Sequence, residues 1–321
     1  LTPKNYLTLG ISLIILIILA TLPLYAQPYN IVLLTTIFMY VVLTVSWVIF
    51  SGPTRYISLA PAAFFGVGIY IAALLGRELP LLAFVGVGGL CSFVLALLIG
   101  FLTLRLRDTY FTIFTFGLVE LIRHFLLFWE TNITGTRGRI VVLIDNDVVF
   151  YVMLSILAVT LLVAYLIRRS KFGLALRSIG ENEAAAAHRG INVTMVKVLT
   201  FAISAFFMGA TGAIMATKWT YIDPYVAFNS LYSFLPVLMA IFGGMGQLYS
   251  PIIGAVIFTY LEEVLTTRLP YYYMLIFGLV LVVAIKYLPD GLVGLVPRLV
   301  RRWWKGGRAR QSADEGGGVP S

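Results

Sequence analysis

NIVLLTTIFMYVVLTVSWVIF, residues 30–50, carries no charged side chain. At about 1.5 Å per residue it is long enough, as a helix, to cross the roughly 30 Å hydrocarbon core of a bilayer. The pattern repeats in both directions: apolar runs bounded by Gly, Pro or charge fall near 7–25, 56–75, 81–104, 109–129, 148–167, 197–217, 229–243, 250–267 and 271–288. The run at 229–243 is short and holds Pro236, and the Gly-rich FGGMGQLYSP (242–251) joins it to the next. Of 321 residues 60% are hydrophobic and 12% charged, which leaves a water-soluble globule no polar surface. The expectation is an all-α, polytopic transmembrane helical bundle of about 8–10 spans.

The stretch from Leu7 to Tyr25 reads as a span and not a signal peptide, being long and lacking a small-x-small site before Gln27. Residues 1–296 are read as one membrane domain with a cytoplasmic loop at 168–197. Residues 297–321 are read as a basic cytoplasmic tail, in which Arg301, Arg302, Trp303, Trp304 and Lys305 suit an inner-leaflet anchor and QSADEGGGVPS is too polar to bury.

The basic residues fix an orientation. With the N-terminus inside, cytoplasmic segments collect Lys4, Arg55, Arg105, Arg107, Arg168, Arg169, Lys171, Arg177, Arg189, Lys197, Lys286 and the tail from Arg298 to Arg310. The outside keeps Arg77, Arg137, Arg139, Lys218 and Arg268. That bias predicts both termini in the cytoplasm. The net charge of +9 therefore speaks for topology and anionic lipid, not nucleic acid. Cys91 is the single cysteine and His124 and His188 the two histidines, so no internal disulfide, metal or haem site is expected.

The loop KFGLALRSIGENEAAAAHRGINVTMVK (171–197) holds a short helix with its signals in order. Glu181 and Glu183 belong in its first turn, Ala184 to Ala187 favour helix, His188 and Arg189 close it, and Gly190 takes the position after it. At roughly 9 residues it is only about 13 Å long and has little apolar bulk. Two roles fit: a solvated connector, or a small-residue surface that docks into a groove on a cytoplasmic partner.

Glu181, Asn182, Glu183, Ala185, Ala186, Gly190, Ile191, Asn192 and Val193 resemble the signature of ATP-binding-cassette import permeases, in the variant of the branched-chain amino-acid family. KVLTFAISAFFMGATGAIMA (197–216), YIDP (221–224) and LMAIFGGMGQLYSPIIGA (238–255) are similar to consecutive segments of its LivM-type subunit. SGPTRYISLAPAAFFGVGIYIAALL (51–75), LRDTYFTIFTFGLVELIR (106–123) and TGTRG (134–138) are similar more loosely, so the likeness runs from about Gly52 to Pro289. The chain departs from the family pattern at Arg55, where a glycine is usual, at Ala60 and Pro61 in place of Gly-His, and at Ser250 in place of a glycine.

The resemblance implies a subunit of the bacterial inner membrane that moves leucine, isoleucine or valine, with urea or short amides as near alternatives, by alternating access. It implies two cytoplasmic ATPase subunits, a second and related permease subunit, and an external solute-binding protein. The short helix would be the coupling helix, with Glu181, Asn182, Glu183, Ala185, Ala186 and Gly190 as its ATPase-coupling residues. A bulky residue at Ala185 or Ala186, or a mid-helix Pro, should disable it. No GxxxxGK[ST] stretch occurs, so ATP would be bound by the partners and no cofactor by this chain.

Within the membrane Glu120, Arg123 and His124 share one helical face, so Glu120 can pair with either neighbour. The group is either a polar wall of the translocation path or an ion pair that fixes the bundle. Pro236, Gly243 and Gly244 are candidates for the same path, since broken helices line transport sites; the bland role of the glycines, like that of Gly209 and Gly212, is close helix packing. Glu262 and Glu263 read as interfacial. A gradient-driven carrier or channel is the competing function and would place its coupling carboxylate at Glu120. A membrane enzyme is disfavoured, because no paired carboxylates or nucleophile with its base occur at usable spacing.

Overall fold

The computed structural model describes residue 16 and residues 18–282 apart from 107, 246, 248, 273, 274, 280 and 281. The expected first span, most of the tenth and the basic tail therefore lie largely outside the described residues. After a 3₁₀ turn at Leu22–Leu24 come α1 (Pro28–Thr54), α2 (Pro61–Leu75), α3 (Leu81–Thr103), α4 (Asp108–Trp129) and α5 (Asn146–Arg169). Two short helices follow, α6 (Lys171–Glu181) and α7 (Glu183–His188), then α8 (Val193–Ala216), α9 (Pro224–Ala227), α10 (Leu231–Gly243) and α11 (Ser250–Arg268). The described β-structure is one antiparallel pair, β1 (Arg139–Ile140) with β2 (Tyr221–Ile222).

Among the described residues, six helical segments are long and apolar enough to cross a membrane: 28–54, 81–103, 109–134, 146–169, 193–216 and 224–243. The chain is thus a multi-pass helical bundle. Helix α2 falls short at 15 residues because the chain from Arg55 to Ala60 is not helical. The run expected at 229–243 is α10, preceded by the short α9 across a break at residues 228–230.

The described residues form two compact units that divide after Val237. In the first, α8 is the central helix and packs most extensively on α3 and α2, while α1 packs on α5. Glycines set the spacing: a Cβ on Gly209 would strike Ser92 and Gly88, and one on Gly212 would strike the Phe65 backbone. With no hydrophobic drive between helices in lipid, this backbone-to-backbone approach supplies the packing. An aromatic cluster of Phe50, Phe64, Phe111 and Phe201 fills the space beside it, with ring centroids 5.0 to 6.1 Å apart. In the second unit Gly254 lies against Met239 and Gly243, and Phe242 meets Phe258 edge-on at 4.4 Å.

Candidate functional site: the coupling end and the discontinuous helices

One end of the first unit is built by the loop between α5 and α8. Ser170 caps α6, Asn182 Oδ1 caps α7 by accepting from Ala185 N at 3.0 Å, and Asn192 Oδ1 caps α8 by accepting from Met195 N at 3.1 Å. Gly190, just past the Arg189 cap, has φ 82°, a conformation that favours glycine. The short helix is six residues, shorter than expected. Glu181 ends α6 and does not open α7, because the Asn182 side chain is the capping acceptor and stands in extended backbone.

The ATPase-coupling candidates divide by direction. Glu181, Asn182, Ala185 and Gly190 are exposed, as are Ala184 and Ala187. Ala186 is fully buried in the chain's own core. Glu183 turns inward: its Oε1 lies 2.5 Å from Lys197 Nζ and accepts a 2.9 Å hydrogen bond from Tyr56 Oη. Lys197, 3% exposed, also donates to the Leu104 carbonyl at 3.0 Å and stands over the Tyr56 ring at 4.5 Å. This network joins α7, the start of α8, the end of α3 and the chain after α1. Counted by charge alone, Lys197 was a topology signal. The clue to its role was its place near an N-terminus, where the helix dipole disfavours a cation.

From Tyr56 to Ala60 the chain is not helical, and several of its backbone polar groups are met by side chains. Thr112 Oγ1 donates to Ile57 O at 2.8 Å, Trp47 Nε1 to Ser58 O at 2.8 Å, and Leu59 N donates to Thr115 Oγ1 at 3.0 Å. Ser233 Oγ donates to Leu59 O at 2.9 Å and accepts from Ala62 N at 3.1 Å. Irregular backbone at membrane depth is tolerated where it is satisfied within protein, and discontinuous helices mark transport paths. The break at 55–60 is bonded through Ser233 to α10, just past the second break at 228–230.

Glu120, Arg123 and His124 lie next along α4. Glu120 Oε2 pairs with Arg123, its Oε1 accepts from Ser230 Oγ at 3.3 Å, and the Arg123 guanidinium stacks over Tyr225 at 5.1 Å. His124 is exposed and reaches the Glu120 backbone carbonyl through Nδ1 at 2.8 Å. Pro236 is buried in α10, one turn beyond Ser233. Gly243 and Gly244 fall in the second unit, where Gly243 packs against Ser250 and Pro251, and Gly244 has φ 101°.

Just past the end of α4, about 15 Å along the helix from Glu120 at 1.5 Å per residue, sequence reasoning passed over Glu130. It opens a π-helical turn, Glu130–Thr134, and is 2% exposed. Its carboxylate accepts from Tyr70 Oη at 3.2 Å and Gly138 N at 2.9 Å, with Arg139 Nε at 3.9 Å. It anchors the segment that supplies β1. Nearby, burial lowers the Lys218 ammonium from 10.5 to about 8. Among the described residues no group of three or more His, Cys, Asp or Glu side chains could hold a metal ion.

A multi-pass helical bundle with two helix breaks, each bonded to α4 through hydroxyls, suits a transport subunit. Residues 30–285 match the family described as branched-chain amino acid transport system / permease component, and the chain belongs to that family, a group of ATP-binding-cassette permeases. It is 26% identical over 314 residues to the high-affinity branched-chain amino acid transport system permease protein LivM of Salmonella typhimurium, covering 87% of this chain and 73% of the relative. With LivM of Escherichia coli it shares 26% over 294 residues, 81% of this chain and 68% of the relative. The ribose import permease protein RbsC of Haemophilus influenzae is 30% identical over 136 residues, 40% of this chain and 42% of the relative. No solved structure matches the chain.

Proposed function

We propose that the chain is the permease subunit of an ATP-driven importer of branched-chain amino acids, set in a bacterial inner membrane with both termini in the cytoplasm. It works with two ATPase subunits, a related second permease and an external solute-binding protein, and moves its solute by alternating access with no chemistry on it. ATP is bound by the partners. The observation that carries the reading is the family match across residues 30–285. What supports that solute is the alignment of the LivM relatives over 87% and 81% of the chain, against 40% for the ribose permease.

The exposed coupling surface is the outward side of α7, Ala184, Ala185 and Ala187. Its small side chains let an ATPase surface approach the backbone, while Glu183 and Ala186 tie the helix to the bundle. Glu120, Arg123, Ser230 and Tyr225 line the path, with Pro236 behind them. A gradient-driven carrier would place its coupling carboxylate at Glu120, whose carboxylate is instead engaged by Arg123 and Ser230.

The test is to tag the chain, solubilise native membranes mildly and identify what co-purifies, beside Ala185→Trp. An ATPase and a second permease should accompany the parent, and the ATPase should be lost from the variant. A chain that purifies alone and transports without any ATPase overturns the reading.

A further inference from the structure

We infer that the non-helical segment 55–60 is a strap through which movement of α7 reaches the discontinuous helices, with Tyr56 and Thr115 as positioning residues at its two ends. The inference rests on the ATP-driven reading above and deepens it by naming the receiver of the motion.

Two contacts grip the cytoplasmic-end root of the strap. Gly180, in the last turn of α6, lies so near the Pro53 carbonyl and Thr54 that a Cβ there would overlap them. Tyr56 Oη is shared between Glu183 Oε1 at 2.9 Å and Lys197 Nζ at 3.3 Å. Between these lies Arg55, which ends α1 at φ 62°, the one described residue other than glycine with positive φ. The chain therefore changes direction at a single residue held on both sides by the loop that carries α7.

The other end is tied just as directly. Leu59 gives its N–H to Thr115 Oγ1 and its carbonyl to Ser233, so both of its backbone polar groups end on α4 and α10. Those two helices carry the Glu120–Arg123 pair and adjoin Ser230. The segment cannot absorb displacement as a compliant loop does, because the carbonyls of Ile57, Ser58 and Leu59 and the Leu59 N–H are bonded to side chains of α4, α1 and α10. A shift of Glu183 thus pulls on Tyr56, and the pull arrives at Thr115 and Ser233. α8 receives the same input through Lys197, but its helix is locked against α2 and α3 by glycine contacts that leave no slack.

The test uses the complete transporter in proteoliposomes with its binding protein, reading solute uptake and ATP hydrolysis on the same sample. Tyr56→Phe keeps the ring against Phe111, at 5.6 Å, and deletes the shared hydroxyl. Thr115→Val removes the anchor at the far end. In each variant uptake per ATP hydrolysed should fall about fivefold or more, the scale of ordinary coupling between sites, with the ATPase still co-purifying. A merely structural role would lower the yield of folded complex and leave that ratio unchanged. An unchanged ratio in both variants, on equal amounts of assembled complex, overturns the strap. Should the parent bring down no ATPase, the importer reading fails first, and the strap with it.

Discussion

Gly180 in α6 rests directly on the carbonyl of Pro53 in the last turn of α1, with room for a hydrogen and none for a methyl group. That contact sets how closely the loop carrying α7 can approach the bundle. Gly180→Ala should destabilise the chain by roughly 1–3 kcal/mol, the usual cost of overpacking a tight contact. Thermal unfolding in detergent checks it; a melting temperature equal to the parent's would mean that α6 has slack.

Lys197 and Glu183 should behave as one unit. Removing either leaves the other partly desolvated beside Tyr56, and breaking a buried pair costs roughly 3–5 kcal/mol, less where one partner is partly exposed as Glu183 is. The loss in Lys197→Met/Glu183→Gln should therefore be smaller than the sum of the two single losses. Additive losses in a double-mutant cycle would show that the pair does not interact.

Ser233 is buried and serves two backbone groups, accepting from Ala62 N and donating to Leu59 O. Ser233→Ala should cost about 1–3 kcal/mol, since both groups are stranded away from water. Hydrogen exchange at Ala62 should rise with it. Protection equal to the parent's would assign Ala62 N another acceptor.

Lys218 gives a pH dependence of definite sign. Burial lowers it from 10.5 to about 8, so below pH 8 the native state holds a charge it disfavours. Between those values the native state binds fewer protons than the unfolded chain, and stability rises with pH. Lys218→Met should melt above the parent at pH 7, and the gap should narrow as the pH climbs towards 10. A gap independent of pH would mean that Lys218 is solvated.

The discontinuities show what could and could not be read in advance. Pro236 and the short run at 229–243 signalled trouble in that span, but the break lies at residues 228–230, ahead of the proline. The proline is accommodated inside α10, as prolines in membrane helices are when neighbours satisfy the freed carbonyl. Arg55 carried a sharper signal. It departs from the glycine of the family pattern the sequence resembles, and its φ of 62° is a conformation that favours glycine. Glu130 gave no warning, because one carboxylate at the end of an apolar run looks interfacial until Tyr70 and Gly138 are seen to close over it.

Sequence alone determined the solvent, the helical class, the approximate ends of the spans and the existence of α7, because these follow from hydrophobic length and local capping. The start of α7 was misplaced by the sequence reading, which put Glu181 in its first turn where Asn182 is the cap. Only the tertiary structure decided which way α7 faces, that Lys197 is a buried partner and not a topological charge, and that residues 55–60 leave the helix to be bonded by Thr112, Thr115, Trp47 and Ser233. Those choices depend on polar groups finding one another across separations of roughly 11 to 174 residues. Neither periodicity nor local propensity carries that information.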